Sequence, residues 1–296
     1  MIFNSDKQVV LDRLIGQVLS LHYMENKNQA EVAKLLGLST TKVNRIIRQA
    51  REDGLVEVKL NISNIDLYAM ELELAQTSRL KESILCPTVS EDPQVVVKFV
   101  AETAANLLLD KLRDGDTICI SGGKAILALV ESIRPTRGYD ITVVPATGGV
   151  QGKHYTDVDL LLNIRSCKEV IDCARNADIA LLGLGSVSVG DESYFDLRSL
   201  SSEEKSQMAL HGCVGEVFAH LLDAEGMPCY AELNEKLVGL TLPELQRIPV
   251  SIGLASGDEK VALITSVCKG GIIKTLVSDE KTAKSVLKKL EKTNEI

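Results

Sequence analysis

Several features that mark stacking, membrane and secreted proteins are missing from this 296-residue sequence. It contains no tryptophan, and aromatic residues make up only 3%, which argues against the aromatic platforms that hold single-stranded nucleic acid. No apolar run approaches the ~18 residues that a membrane span needs. The polar first residues do not resemble a signal peptide. We therefore expect a cytoplasmic protein with no membrane partner.

Metal and dinucleotide motifs are also missing. The seven cysteines include no Cys-x-x-Cys pair, and the four histidines form no His-x-x-x-His pattern. An odd number of scattered cysteines is typical of reduced thiols in the cytosol. Neither a Walker P-loop nor a Gly-x-Gly-x-x-Gly motif occurs in the glycine-bearing loops. We expect no metal and no cofactor.

Charge is distributed unevenly along the chain. The formal net charge is −8, yet residues 1–60 hold nine basic and seven acidic side chains, whereas the remainder holds 24 and 34. A mildly basic N-terminal segment followed by an acidic remainder favours a short nucleic-acid-binding module joined to a larger domain. We predict a DNA-binding domain over 1–60, a linker helix over 61–82 and a larger domain over 83–296.

The first fifty residues show the periodicity of three helices. These are predicted over about Asp6–Met24, over Gln29–Leu36, and from Ser39 to about Ala50. Asn28 and Ser39 are candidate N-caps, and Gly37 ends the second helix. Two helices joined by a short turn that contains glycine are typical of a helix-turn-helix.

The spacing of small and apolar residues supports this motif. Ala33 is small enough for the helices to approach, and Gly37 follows at a turn that favours positive φ. Val43 and Ile46 are predicted on the inner face of the third helix, and the core is completed by Val32, Leu36 and Leu38.

The outer face of the third helix is polar and basic, with no acid between Ser39 and Arg51. Arginine and asparagine can contact base edges in the major groove, and hydroxyl groups at a helix start can hold phosphates. An isolated basic stripe is usually solvated surface, but the turn pattern favours DNA binding here. The candidate DNA-binding residues are Gln29, Ser39, Thr40, Thr41, Lys42, Asn44, Arg45 and Arg48, with Arg51 on the same face.

Two elements between the domains have alternative interpretations. Leu55–Leu60 alternates as a short strand, which is either the wing of a winged helix-turn-helix or a plain connection. Ile65–Leu80 places Leu67, Met70 and Leu74 on one stripe. That helix is either a linker at a dimer contact or a helix packed on its own domain.

Short apolar strands alternate with helices from Ser83 onward. Strands are predicted at Ile84–Cys86, Thr117–Ile120, Ile141–Val144, Ile179–Leu182, Val250–Ala255 and Thr275–Ser278, and helices at Val95–Leu112 and Lys124–Ile133. This alternation favours a largely parallel sheet covered by helices. In such sheets, ligands bind beyond the carboxyl ends of the strands.

Glycine-bearing loops follow four of these strands, and two of the loops carry a lysine. Glycine allows backbone amides to face an anion, although each loop alone is as readily a simple turn. Lys260 is equally compatible with an exposed surface lysine. Together the loops predict an anion-binding cradle, whose candidate residues include Ser121, Gly122, Gly123, Lys124, Gly148, Gly149, Gly185, Gly257 and Lys260.

The chain resembles the SorC family of bacterial sugar-responsive transcriptional regulators. The resemblance rests on NQAEVAKLLGLSTTKVNRIIRQAREDGLVEV near the start and on ADIALLGLGSV, GCVGEVFAHLLDAEG and LVGLTLPELQRIPVSIGLASGDEKVALI further on. It implies an α/β fold class: an N-terminal (winged) helix-turn-helix and a C-terminal Rossmann-like effector domain similar to phosphosugar isomerases and deaminases. It also implies double-stranded operator DNA and a sugar or sugar phosphate as partners, and a homodimer or homotetramer.

The resemblance assigns the glycine loops and Asp223 to effector binding, with two departures. Lys124 and Ala125 stand where the family usually has hydroxyl residues in its first phosphate loop. Between Val158 and Cys167 the chain is about 25 residues shorter than the family pattern.

A DNA-binding regulator, and specifically a repressor, is the function that these features favour. One alternative is a phosphosugar isomerase or deaminase with an accessory head, in which Asp223, Glu216 or Asp258 would serve as the base. Another is a protein-interaction module that docks through the basic helix. The regulator interpretation predicts no enzymatic activity.

Overall fold

A computed structural model of the chain describes residues 3–59, 62–146, 164–187, 202–234 and 237–294. The chain divides into two compact units, Met1–Ser63 and Asn64–Ile296. The helix that we expected as a separate linker within 61–82 therefore belongs to the second unit.

The N-terminal unit consists of three helices with defined ends. They are α1 (Phe3–Leu19), continued by a π-helical turn over Ser20–Met24, α2 (Gln29–Leu36) and α3 (Thr40–Glu52). Asn28 caps α2 because its side chain accepts hydrogen bonds from the amides of Ala30 and Glu31, at 3.1 and 3.0 Å. Gly37 ends α2 in the left-handed region at φ 65°. The predicted caps and turn are confirmed.

The core of this unit is formed by Val18, Val32, Ala33, Val43 and Ile47. Ile46 was predicted on the inner face beside Val43, but Ile46 is only partly buried and Ile47 is buried instead. The steps of four and three residues from Val43 to Ile47 and Ala50 keep one helical face inward.

The strand predicted over Leu55–Leu60 is wrong for the residues that the structure describes there. Leu55 to Lys59 adopt no strand conformation. No other segment of the described N-terminal unit is a strand, so the backbone amides and carbonyls of this stretch have no neighbouring strand to pair with.

The second unit is built around one sheet in which six parallel strands follow the order β1-β8-β7-β4-β2-β3. The strands are β1 (Glu82–Cys86), β2 (Thr117–Ile120), β3 (Thr142–Pro145), β4 (Ile179–Ser186), β5 (Gly215–Val217), β6 (His220–Leu222), β7 (Val250–Leu254) and β8 (Thr275–Asp279). The short strands β5 and β6 form an antiparallel hairpin that pairs with the end of β4. All six predicted strands of the large domain are present.

Helices cover both faces of the sheet. They are α4 (Ile65–Thr77), α5 (Pro93–Lys111), α6 (Lys124–Ser132), α7 (Arg165–Arg175), α8 (Ser202–Leu210), α9 (Ala231–Asn234), α10 (Leu242–Arg247), α11 (Val261–Gly270) and α12 (Glu280–Asn294). Alternate residues of β4 point to opposite layers: Leu182 joins the cluster with α4, α11 and α12, and Leu181 joins the cluster with α5 and α6. This is the helix-covered parallel sheet that the sequence predicts.

Helix α4 packs on its own unit. Leu67, Met70 and Leu74 are buried in the core, and the Glu71 carboxylate accepts a hydrogen bond of 2.7 Å from the Leu85 amide of β1. The second of the two interpretations of this stripe is therefore correct. Within the described ranges, no helix combines the length and apolarity of a membrane span.

Candidate functional sites

The exposed face of α3 gathers six of the predicted DNA-binding residues around one shallow depression, which is lined by Gln29, Thr40, Thr41, Asn44, Arg45 and Arg48. Asn44 Nδ2 donates a hydrogen bond to Gln29 Oε1 at 3.2 Å, so the start of α2 and the middle of α3 are linked across the turn. The structure brings these residues together on one side of the unit.

Several residues of this face also make local contacts. Ser39 Oγ accepts a hydrogen bond from the Lys42 amide at 3.2 Å, so Ser39 caps α3. Arg48 lies 3.7 Å from Glu52, and both side chains are largely exposed. Arg51, which we expected to be available on the outer face, donates from Nε to the Tyr23 hydroxyl at 2.7 Å, so its guanidinium is held against the unit.

The second site lies where the connections of the sheet diverge. The chain leaves β2 toward the β3 edge, whereas β4 lies on the other side of β2 and leads toward β7 and β8. Such a switch point opens a crevice at the carboxyl ends of the strands. Ser121 and Gly183 join the two strands there, because the Gly183 amide donates to Ser121 Oγ at 2.9 Å.

Two glycines in unusual backbone conformations follow β2 and β7, the strands on either side of β4. Gly123 has φ 109° and precedes α6, and Gly257 has φ 107° and precedes the helical turn Asp258–Lys260. An extended conformation with positive φ is essentially restricted to glycine. Among the described residues, α6 begins without a side-chain cap, so its first-turn amides can meet a ligand.

These loops surround a cavity of about 140 Å³. Its lining includes Gly122, Gly123, Lys124 and Ala125 from the β2–α6 loop, Gly183, Leu184 and Gly185 from β4, Glu216 from β5, and Ala255, Ser256, Glu259 and Lys260 after β7. Lys260 Nζ donates to the Leu184 carbonyl at 2.9 Å, which holds this lysine across the end of β4.

The β5–β6 hairpin supplies one wall of the cavity. Glu216 is only 4% exposed, and its Oε2 accepts a hydrogen bond of 2.7 Å from the Ala219 amide. Gly185 makes room for this carboxylate, since a Cβ at position 185 would lie 2.0 Å from Glu216 Oε1. The two turn residues, Phe218 and Ala219, have φ of 52° and 63° although neither is glycine. Such strained, buried turns persist where surrounding packing holds them.

The predicted effector residues have different positions. Gly122, Gly123, Lys124, Gly185 and Lys260 line the cavity, and Ser121 accepts a hydrogen bond from the Gly183 amide of this lining. Gly257 lines an adjoining pocket. Gly148 and Gly149 lie outside the described residues.

Asp223 has a different environment from the one that the resemblance implies. Its Oδ1 accepts hydrogen bonds of 2.9 Å from the amides of Glu225 and Met227, so the carboxylate stabilises a turn after β6, and Asp223 is not among the cavity-lining residues. Glu216 and Glu259 are the carboxylates of the cavity lining that the site prediction missed, and Glu216 is the buried one. Gly185 and Glu216 are opposite each other in the β4–β5 pairing. Because this pairing is not visible in the sequence, the sequence could not connect the two residues.

Within the described ranges, no three histidine, cysteine or carboxylate side chains lie close enough together to hold a metal ion.

Two family models match the chain. The sugar-binding domain family (Sugar-bind) matches residues 63–162 and 156–288, and the model of Sigma-70, region 4 matches residues 11–53. The second match covers α2 and α3. The two segments of the first match overlap at residues 156–162.

Several known proteins are similar over most of the chain. "Transcriptional regulator LsrR" of Enterobacter sp. (strain 638) is 27% identical, over 93% of each chain. The "Sorbitol operon regulator" of Klebsiella pneumoniae is 26% identical, over 93% of this chain and 98% of its own.

Solved structures share the fold. The full-length sorbitol operon regulator SorC from Klebsiella pneumoniae superposes with a TM-score of 0.71 at 23% identity, covering 93% of this chain and 98% of that one. The sugar-binding domain of a transcriptional repressor from Vibrio fischeri gives 0.68 at 20% identity, covering 76% and 99%. The solved structures show the fold, whereas the family matches and the regulators similar over 93% of the chain show that it belongs to the sugar-binding domain family and is a DNA-binding transcriptional regulator of the SorC type, modulated by a sugar effector.

Proposed function

We propose that this regulator is a repressor that binds operator DNA through α3 and releases it when a sugar phosphate enters the cavity at the switch point of the sheet. The observation that carries the DNA part is the common depression formed by Gln29, Thr40, Thr41, Asn44, Arg45 and Arg48. The first two turns of α3 then lie in the major groove.

The residues of this face have separate roles in the proposal. Arg45 and Asn44 read base edges, since these side chains suit bidentate contacts to guanine and adenine. Thr40 and Thr41, at the start of α3, hold phosphates together with Lys42. Gln29 positions Asn44 through their hydrogen bond of 3.2 Å.

The effector site combines backbone amides with charged side chains. The amides of Gly122, Gly123 and the first turn of α6 receive the phosphate, and Lys124 and Lys260 supply positive charge. The carboxylate of Glu216 accepts hydrogen bonds from sugar hydroxyls. Lys124 takes the role that hydroxyl residues have in the family pattern.

Control of DNA binding follows from linkage. The regulator acts in the cytoplasm as a homodimer or homotetramer that has two arrangements, of which only one fits the operator. The effector can lower the affinity for DNA only by as much as its own affinity differs between the two arrangements.

A titration with duplex operator DNA tests the DNA face. Arg45→Ala should weaken binding by about 1–3 kcal/mol if the guanidinium reads a base. Lys34→Ala, which removes an exposed lysine of α2 outside the depression, should change affinity far less. Equal affinities for the native chain and Arg45→Ala would contradict the proposal.

A thermal-shift series tests the cavity. Ribose 5-phosphate and glucose 6-phosphate are the probes, and a ligand at about 100 times its Kd adds roughly 2.7 kcal/mol of stability. Lys260→Ala should remove the shift and the effector response while DNA binding remains. Lys288→Ala, on the exposed side of α12, is the matched control. A normal response in Lys260→Ala would count against this cavity.

The buried carboxylate of Glu216 is the one observation that favours the enzymatic alternative. A base for isomerisation must reach a sugar carbon, whereas one oxygen of Glu216 already accepts the Ala219 amide. Incubation with pentose and hexose phosphates, followed by product analysis, separates the two functions: turnover that disappears in Glu216→Gln would establish an enzyme.

A further inference from the structure

Two cysteines outside the proposed DNA and effector sites lie in direct contact. Cys213 Sγ and Cys229 Sγ are 2.6 Å apart, which is only about half an ångström longer than a disulfide bond. Both residues are free thiols. Their sulfur atoms meet although 16 positions separate them in the sequence.

Backbone hydrogen bonds hold the two residues in this position. The Cys213 amide donates to the Met208 carbonyl at 3.0 Å, at the end of α8, and the Cys229 amide donates to the Leu221 carbonyl of β6 at 2.9 Å. Asn234 Nδ2 donates to the Cys229 carbonyl at 2.7 Å. Because the main chain fixes both residues, their proximity does not depend on side-chain rotamers alone.

The two thiols also differ in a way that suits redox chemistry. The hydrogen bond with Cys229 lowers the pKa of Cys213 despite partial burial and the nearby Asp223 carboxylate. The same hydrogen bond, together with burial, raises the pKa of Cys229. Cys213 is partly exposed. A partly exposed thiol that loses its proton more readily than a contacting thiol is the arrangement of an attacking cysteine and its resolving partner.

The deeply buried cysteines of the second unit lack these properties. Burial raises the pKa of Cys86 to about 11, and of Cys119 and Cys268 to about 12. Buried thiols of this kind react slowly, because the thiolate is the nucleophile. The Cys213–Cys229 pair therefore stands apart from them.

We propose that Cys213 and Cys229 are a redox-sensitive pair that forms a reversible disulfide when the protein meets a hydroperoxide. The Cys213 thiolate attacks the terminal peroxide oxygen, the O–O bond breaks, and the leaving oxygen takes up a proton to give water or an alcohol. The resulting sulfenic acid condenses with the Cys229 thiol, which releases water and forms the S–S bond. The two thiols lose two electrons in total, and the peroxide gains them.

This bond would enclose the hairpin that forms a wall of the cavity. The segment between the two cysteines contains β5, the strained turn and β6, and therefore Glu216. Gly215 is packed closely at the start of β5, since a Cβ there would lie 2.6 Å from Leu263 and 2.8 Å from the Gly185 carbonyl. The disulfide therefore restricts movement of β5 and β6 away from β4, and a reductant, which breaks the disulfide, restores this freedom of movement.

Peptide mapping of the full-length protein tests the proposal. After treatment with hydrogen peroxide, one cross-linked peptide pair containing Cys213 and Cys229 should appear, with a mass lower by two hydrogen atoms, and dithiothreitol should reverse it. Hydrogen exchange should be slower for amides of β5 and β6 in the oxidised form. Free thiols at both positions, or a disulfide to another cysteine, would overturn the proposal.

Two variants separate the roles of the cysteines. Cys229→Ser should lose the cross-link and retain a sulfenic acid on Cys213 that dimedone labels, whereas Cys213→Ser should lose both signals. Cys167→Ser, at a partly exposed thiol of α7, should form the native cross-link. Dimedone labelling at Cys167 instead of Cys213 would also overturn the assignment. These measurements require neither DNA nor a sugar phosphate, so their outcome is independent of the proposed function.

Discussion

The two units of this chain build their functional surfaces in opposite ways. The face of α3 comes from one continuous stretch of twenty residues, Gln29 to Arg48, and its side chains are mostly exposed. The cavity of the second unit draws on loops between Gly122 and Lys260 that meet only through the sheet. The first surface therefore depends on local helix signals, and the second depends on long-range packing.

Glycine illustrates this difference. At Gly37 no described atom lies within 4 Å of an added Cβ, so space does not require glycine there. Glycine is required because the residue that ends α2 has a positive φ. At Gly185 the backbone conformation is ordinary, and the requirement is space, because an added Cβ would meet the buried Glu216. The same substitution should thus fail for different reasons in the two units.

The largest effect is expected for Gly185→Ala. The added methyl group must displace the Glu216 carboxylate from its hydrogen bond with Ala219, and overpacking of this kind costs about 1–3 kcal/mol. Urea unfolding should show the loss in the second unit, together with loss of the thermal shift by sugar phosphates.

Gly138→Ala is the matched control for this substitution. No described atom lies within 4 Å of a Cβ at Gly138, and its φ is not in the left-handed region. Its stability should change by less than about 0.5 kcal/mol. Equal losses in the two variants would refute the idea that close packing at Gly185 shapes the cavity.

Gly37→Ala should have a smaller and more local effect. An alanine in the left-handed region costs about 1 kcal/mol, and the cost should appear as faster hydrogen exchange in α2 and α3 only. Gly37→Asn should recover part of the loss because asparagine tolerates this conformation. Faster hydrogen exchange in the sheet strands of Gly37→Ala would contradict the expectation that the effect of this substitution is confined to the first unit.

Local signals explain why so much of the first unit could be predicted. The caps Asn28 and Ser39 and the stop at Gly37 act within a few residues of the chain, and the structure has all three. The inner face was misplaced by one residue at Ile46, because a helical stripe tolerates steps of three or four. The strand expected at Leu55 failed because alternation alone does not supply a pairing partner.

The second unit was predictable in its strands and less so in its site. Apolar runs gave the positions of the parallel strands, and the carboxyl-end rule then pointed to Gly122, Gly123 and Lys260. The β5–β6 hairpin was missed because its turn, Phe218-Ala219, carries no glycine or asparagine, which two-residue hairpin turns usually have. Asp223 was assigned to effector binding by resemblance, and in the structure its carboxylate accepts hydrogen bonds from two amides of a turn.

The part of each unit that the structure describes contains one capping box, and the two boxes allow a direct comparison of local interactions. Asn28→Ala should destabilise the first unit by about 1 kcal/mol, because two amides lose their acceptor. Thr241→Ala should cost the second unit about 0.5 kcal/mol, because Glu244 keeps its 2.6 Å hydrogen bond from Arg175. Urea unfolding followed by hydrogen exchange in each unit measures both values. A greater loss for Thr241→Ala would contradict this order.

The smallest expected effect is a pH dependence confined to the second unit. Burial lowers the pKa of His220 below its ordinary value near 6.5, and this outweighs its hydrogen bond with the Leu240 carbonyl. The unfolded chain therefore takes up this proton at a higher pH than the folded chain does. The stability due to neutral His220 is present above about pH 6.5 and is lost as the pH falls toward the folded pKa. His220→Gln should flatten this slope in urea midpoints measured between about pH 7.5 and 5.5. An unchanged slope in His220→Gln would mean that other groups cause the acid sensitivity of the sheet.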